Sequence, residues 1–275
     1  MKFTYENNNV YISECTLFNL EKTFTCGQCF RFDKKEDGKW FGVVNDKELT
    51  LWQEDEDVIL ENVSRNEFED FWYYYFDLDR NYEEINNAFS NNPILNTALN
   101  YGKGIRILKQ EPWEALCSFI ISQNNNIPRI KGIIDRLCST YGEKVKNSYS
   151  FPSADILAKL NVDDLAPLRS GFRAKYILDA AKKVSSGEIV LERTALLSSE
   201  KAREELTKIY GVGEKVADCT LLFGMGHIDV CPKDVWIKRA LTVLFDGDFP
   251  ECAKSYAGIA QQYIFYYARE TKLNI

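Results

Sequence analysis

The period of the hydrophobic pattern changes along this chain, and that change limits the fold more than any other feature. The first ~70 residues alternate and are rich in aromatic side chains, the mark of half-buried strands. "WFGVVN" (40–45) and "ELTLWQ" (48–53) read as a hairpin turning at Asp46 and Lys47, and "DVIL" (57–60) as a third strand. From Asn66, "NEFEDFWYYYFDLD" takes a helical period, and its aromatic cluster reads as core packing. Beyond Asn100 the chain reads as helix throughout. "PWEALCSFIISQ" (112–123) opens with a proline suited to a first turn. "IPRIKGIIDRLCSTYG" (127–142) and "AKYILDAAKKVSSG" (174–187) close on glycine, and "SADILAKL" (153–160) lies between them. The expectation is an α+β fold, with a β-rich N-terminal domain and connecting helix over 1–98 and a helical domain over 99–275.

A chain of 275 residues, 45% apolar and 27% charged, has an ordinary soluble balance and length enough for two domains. No apolar run approaches the ~20 residues of a membrane span. The start, "MKFTYENNNVYISEC", lacks the apolar core of a signal peptide, so a cytoplasmic protein is expected. The 8 cysteines are scattered and are expected as free thiols. Cys26 and Cys29 form a C-x-x-C with no second pair, and the only histidine is His227; a turn with two small buried residues is expected there, not a zinc site. The net charge of −7 disfavours a nucleic-acid partner at first sight, yet residues 1–98 hold 9 Lys and Arg against 20 Asp and Glu. Residues 99–275 hold 25 against 21, so a DNA-facing surface is permitted in the second part.

In "IYGVGEKVADC" (209–219), Gly211-Val212-Gly213 makes a tight turn between two apolar helical stretches. Glycine permits positive φ and close approach of another molecule to the backbone. The next helix starts near Glu214, and its first N–H groups form an anion site blind to base sequence. An ordinary helix corner would look the same. Lys215 stands at that helix start, where the helix dipole and partial burial disfavour a cation and can make the amine a nucleophile. In "VCPKDVWIKRAL" (230–241), Asp234 is a natural N-cap that could also face a developing cation.

Taken together, "LTKIYGVGEKVADCTLLFGMGHIDVCPKDVWIKRAL" resembles the helix-hairpin-helix, Gly/Pro-Asp signature of DNA base-excision glycosylases, with the hairpin at about 200–222. "TFTCGQCFRF" (23–32), "GIRILKQEPWEALCSFIISQNNNIPRIKGIIDRLCSTYG" (104–142), "SGFRAKYI" (170–177) and "YAGIAQQYIFYYAR" (256–269) resemble the 8-oxoguanine DNA glycosylases within that superfamily. The resemblance spans nearly the whole chain in order. It implies a TATA-binding-like sheet in the N-terminal domain and a two-lobed helical domain. The four-cysteine motif of endonuclease III and the adenine glycosylase is missing, so no iron–sulfur cluster is expected.

The resemblance implies that Lys215 attacks the sugar C1′ of the damaged nucleotide and that Asp234 stabilises the charge developing on the sugar. Gly27 would accept the N7–H of 8-oxoguanine on its carbonyl, which guanine lacks. Gln261 would read the Watson–Crick edge. Phe265 and Cys219 would stack on the two faces of the ring, although either could equally be core. Asn124, Arg129 and Arg173 would hold the orphaned cytosine, with a helix-terminus turn as the plain alternative for "QNNN". Phe172 would wedge the duplex, while Gly211 and Gly213 admit phosphate. Carbonyls of Thr207, Ile209 and Val212 would hold a monovalent or divalent cation; no other cofactor is implied. The implied partner is double-stranded DNA carrying 8-oxoguanine, met by a monomer in the cytoplasm, at the nucleoid if the source is bacterial. The vertebrate pattern has a histidine two residues after the catalytic aspartate and an aspartate three after the stacking phenylalanine; here those positions are Trp236 and Ala268, so the pocket wall is rebuilt. Two other readings stand beside this one: a monofunctional alkylated-base glycosylase using Asp234 and water, and a non-catalytic helix-hairpin-helix DNA-binding protein.

Overall fold

A computed structural model describes residues 1–272. The N-terminal part forms an antiparallel six-stranded sheet of order β1-β2-β6-β5-β4-β3. The strands are β1 (Lys2–Glu6), β2 (Asn9–Ser13), β3 (Phe32–Lys34), β4 (Trp40–Val44), β5 (Lys47–Glu54) and β6 (Asp57–Glu61). The expected hairpin is β4–β5, turning one residue earlier than expected, at Asn45 (φ 53°) and Asp46. Val10 pairs with Leu60 and Ile12 with Val58, and all four are buried. Gly42 faces Phe32 across β3–β4 because the Phe32 ring fills the space a side chain would need.

The chain divides into two compact units. One comprises Met1–Gln28, Leu51–Lys109 and the stretch from His227 onward; the other comprises Cys29–Thr50 and Gln110–Gly226. In the first unit, α1 (Leu20–Thr25) and α2 (Pro93–Gly102) both start on an asparagine cap, Asn19 and Asn92. Gly102 of α2 lies against Tyr263 of the C-terminal helix so closely that a Cβ would stand 2.6 Å from its ring. The aromatic run winds as a wide π turn, Phe68–Trp72, between two short α turns. Phe68, Trp72, Tyr75 and Phe76 are buried, as core packing requires, while Tyr74 stays exposed under Lys109.

The second unit carries α3 (Pro112–Ser122), α4 (Ile127–Tyr141), α5 (Arg173–Ser185), α6 (Ser199–Thr207) and α7 (Glu214–Gly224). The expectation of helix throughout fails at two places. Lys144–Val145 and Ser148–Tyr149 pair as a small hairpin around Lys146, whose φ of 41° breaks a helix. The helix expected over 153–160 is reduced to Ala154–Leu157. Beyond it, Leu160 N–H bonds to Leu157 three residues back, and Asn161 with Asp164 makes a side-chain turn. In the first unit, α8 (Val235–Phe245) and α9 (Ala257–Thr271) complete the helices used below.

Candidate functional site

The glycine turn is built as the sequence suggests. α6 ends at Thr207, Ile209 O accepts Val212 N–H at 3.0 Å, and Gly211 takes φ +79°. Gly213 precedes α7 with no side chain to cap it, and the space beside its Cα is open. The first N–H groups of α7 are thus laid out for an anion. Ile209 and Val212 are buried and anchor the turn, while Thr207 is exposed. The Arg203–Asp218 ion pair (2.5 Å) ties α6 to α7.

Lys215 is half-buried in the first turn of α7. Its Nζ lies 5.3 Å from the centroid of the Phe119 ring and 3.4 Å from Ser122 Oγ. Both partners sit on α3, one turn apart, where α3 packs on α7. Phe119 stacks on Phe223 of α7 at 5.3 Å. Gly224 approaches Ala115 so closely that a Cβ would stand 2.9 Å from its methyl. The Ser122 hydroxyl donates to Phe119 O at 2.8 Å, which leaves its lone pairs to receive the amine. Cys219, one turn after Lys215, is buried. Phe119 and Ser122 carried no signal in the sequence beyond their helical phase.

The stretch around Asn124 is a built loop. Asn124 adopts φ 47°, and Asn126 caps α4 by accepting Arg129 N–H at 3.0 Å. This is the helix-terminus turn given above as the plain alternative for "QNNN". Arg173 is 2% exposed and donates to Gln123 O at 2.8 Å, Asn124 O at 2.9 Å and Ser170 O at 3.1 Å. Burial, then the Arg129 cation, lowers its pKa from the ordinary arginine value. Arg173 thus holds the loop from behind, while exposed Arg129 reaches Arg169 O at 3.4 Å. Phe172, at the start of α5, is 49% exposed.

In the first unit, Gly27 takes φ +84° with nothing within 4 Å of its missing side chain, so a flat ring could reach its backbone. The neighbouring Gln28, which sequence reasoning passed over, is fully buried. Its Nε2 donates to Thr23 O (2.9 Å) and Arg106 O (2.7 Å), and its Oε1 accepts Leu108 N–H (2.9 Å), which pins the loop. Asp234 caps α8, its Oδ1 accepting Ile237 N–H at 2.7 Å. On α9, Gln261 is buried and accepts from Gln262 Nε2 at 2.8 Å. Phe265 meets Trp236 edge to face at 5.5 Å. Trp236 is half-buried beside Phe265, and Ala268 is 2% exposed, with no room for a solvated carboxylate.

Cys26 and Cys29 are buried and form no disulfide, as expected of the C-x-x-C. Among the described residues, no helix is long and apolar enough to cross a membrane.

Comparison with known proteins places relatives around this geometry. Residues 10–116 match the family model described as "8-oxoguanine DNA glycosylase, N-terminal domain". Residues 117–248 match the one described as "HhH-GPD superfamily base excision DNA repair protein". The 8-oxoguanine glycosylase/lyase of Clostridium acetobutylicum, solved with double-stranded DNA carrying cytosine opposite 8-oxoG, is 37% identical with a TM-score of 0.92, covering 99% of both chains. MBOgg1, solved with a low-affinity DNA ligand, is 41% identical with a TM-score of 0.91, over 99% of this chain and 100% of that one. The N-glycosylase/DNA lyase of Saccharomyces cerevisiae is 40% identical over 153 residues, which span 50% of this chain and 41% of the yeast protein.

Proposed function

Since the chain belongs to the 8-oxoguanine DNA glycosylases of the HhH-GPD base-excision repair superfamily, we propose that it excises 8-oxoguanine paired with cytosine through a lysine imine and then cuts the strand. The observation that carries the reading is the seat of Lys215. A half-buried amine opens the helix behind a glycine turn, held by a ring face and a hydroxyl. The target nucleotide leaves the stack to be reached. The Lys215 amine forms a bond to C1′, and the bond from C1′ to the base breaks, with the electron pair leaving on the base. Opening of the sugar gives the imine. Loss of a C2′ proton and departure of the 3′ phosphate then nick the strand. Asp234 faces the cationic sugar with a carboxylate already fixed by its helix.

Gly27 selects the lesion by accepting N7–H, and guanine leaves that buried acceptor unpaired. Gln261, Phe265, Cys219 and Trp236 frame the base. Asn124 and Arg129 meet the cytosine, and Arg173 sets the loop that presents them. Phe172 fills the duplex. A cation on the carbonyls of Thr207, Ile209 and Val212 fits this reading, since the Ile209 carbonyl uses one lone pair on Val212 and keeps another. The enzyme needs no further cofactor and acts as a monomer on DNA in the cytoplasm. The division of labour follows 1–98 and 99–275, the second part carrying Lys215, Asp234 and the duplex contacts.

Borohydride trapping on duplexes with 8-oxoguanine opposite each of the four bases tests the reading. The expected result is a covalent adduct strongest opposite cytosine. Equal trapping opposite all four bases overturns the cytosine assignment, and free base released without an adduct overturns the lysine route.

A further inference from the structure

One face of α5 joins two features that the proposed function treats separately. Phe172, Tyr176, Asp179 and Lys183 fall at spacings of 4, 3 and 4 residues, the same face of the helix. The Tyr176 ring meets Phe172 edge to face at 5.6 Å and Tyr210 at 5.0 Å. It also lies flat on Gly211, where a Cβ would stand 2.3 Å from the ring. Farther along, Asp179 Oδ2 accepts Tyr210 N–H at 2.7 Å. Lys183 Nζ donates to Lys208 O at 2.5 Å and pairs with Asp179 at 3.2 Å. The contacts to Tyr210, Gly211 and Lys208 hold the glycine turn and the residue that leads into it.

The column of rings is open to solvent at both ends. Tyr210 is 60% exposed and Phe172 49% exposed, a costly placement for two large aromatic residues unless something covers them. Resting on the functional reading above, we propose that Tyr176 is a positioning residue coupling the duplex wedge to the phosphate-holding turn. The occupant of the open column is the DNA duplex itself, with phosphate at Gly211–Gly213 and a base step at Phe172. Backed by Tyr176, the wedge enters the stack without first being ordered, and its insertion point is set relative to the gripped phosphate. Without the ring, the turn still binds backbone, but the wedge has no fixed register against it.

The test uses full-length Tyr176→Ala and Tyr176→Phe on a duplex with 2-aminopurine beside 8-oxoguanine, and on a matching duplex with a preformed abasic site. Thermal melts check folding. The expected result for Tyr176→Ala is weaker unstacking fluorescence and single-turnover cleavage that falls about tenfold more on the 8-oxoguanine duplex than on the abasic one. Tyr176→Phe, which keeps the ring, restores both to within about threefold. Equal losses on the two duplexes, or no loss on either, overturn the coupling, and so does a Tyr176→Phe variant as weak as Tyr176→Ala. If wild-type protein cleaves neither duplex, the functional reading fails, and the fluorescence signal, which needs no catalysis, judges the coupling by itself.

Discussion

Two side chains seat Lys215, the amine proposed to react, and neither is itself a nucleophile in that proposal. Phe119 offers its face to the amine and Ser122 offers an oxygen whose own proton is committed to Phe119 O. The lysine chain is long and flexible, so both contacts limit where its nitrogen can be when DNA arrives. Lys215→Gln removes the nucleophile and keeps the polar contact. It is expected to bind lesion duplex within about threefold of wild type and to yield no borohydride-trapped adduct; an adduct in gel shifts of the variant would remove Lys215 from the role. Ser122→Ala keeps the nucleophile and loses one restraint. Single-turnover trapping is expected to slow by about threefold to tenfold, with duplex affinity unchanged. An unchanged trapping rate would make Ser122 incidental.

At the scale of elements, the two glycines of the helix–turn–helix meet different demands. Gly211 is required twice over, by φ +79° and by the Tyr176 ring pressed against it. Gly211→Ala is expected to cost about 2–4 kcal/mol from strained backbone and overpacking, measured by denaturant unfolding. Gly213 has φ −96° and open space at its missing side chain, so the fold does not require glycine there. Gly213→Ala is expected to change stability by less than about 1 kcal/mol while weakening binding of undamaged duplex, because the methyl stands where a phosphate would approach. If Gly213→Ala binds duplex as tightly as wild type, the turn is a corner and not a phosphate grip.

At the scale of the whole molecule, the cysteines set an alkaline limit. Burial pushes the Cys15 thiol up to about 11 and the Cys26 and Cys138 thiols up to about 12, from an ordinary value of 9.0. Burial also raises the Tyr82 and Tyr263 hydroxyls above theirs. An acid whose folded-state pKa is raised contributes stability below its unfolded pKa and loses it as pH climbs towards the folded value. Stability is therefore expected to fall steadily from pH 9.0 towards about 12, as thiols ionise freely only in the unfolded chain. Denaturant midpoints across that range check it, and Cys138→Ala should flatten the fall. A midpoint independent of pH would mean that the thiols are solvated.

What could be read from the residues alone was what periodicity and local chemistry control. The switch from strands to helices, the Asp234 cap, the glycine turn and the buried C-x-x-C all follow from neighbours within a few positions. The family match needed only motifs in order, and those are one-dimensional. Tertiary structure decided the rest. The small hairpin at Lys144–Tyr149 turns on the backbone angle of Lys146, and the helix at Ala154 is cut short before the Asn161–Asp164 side-chain turn, neither of which a period announces. The seat of Lys215 joins residues 93 apart in the chain. The duties of Arg173 and Tyr176 depend on which carbonyl or glycine lies opposite them. Side chains that act through contacts across the fold leave no pattern in sequence, because packing, and not spacing, selects their partners.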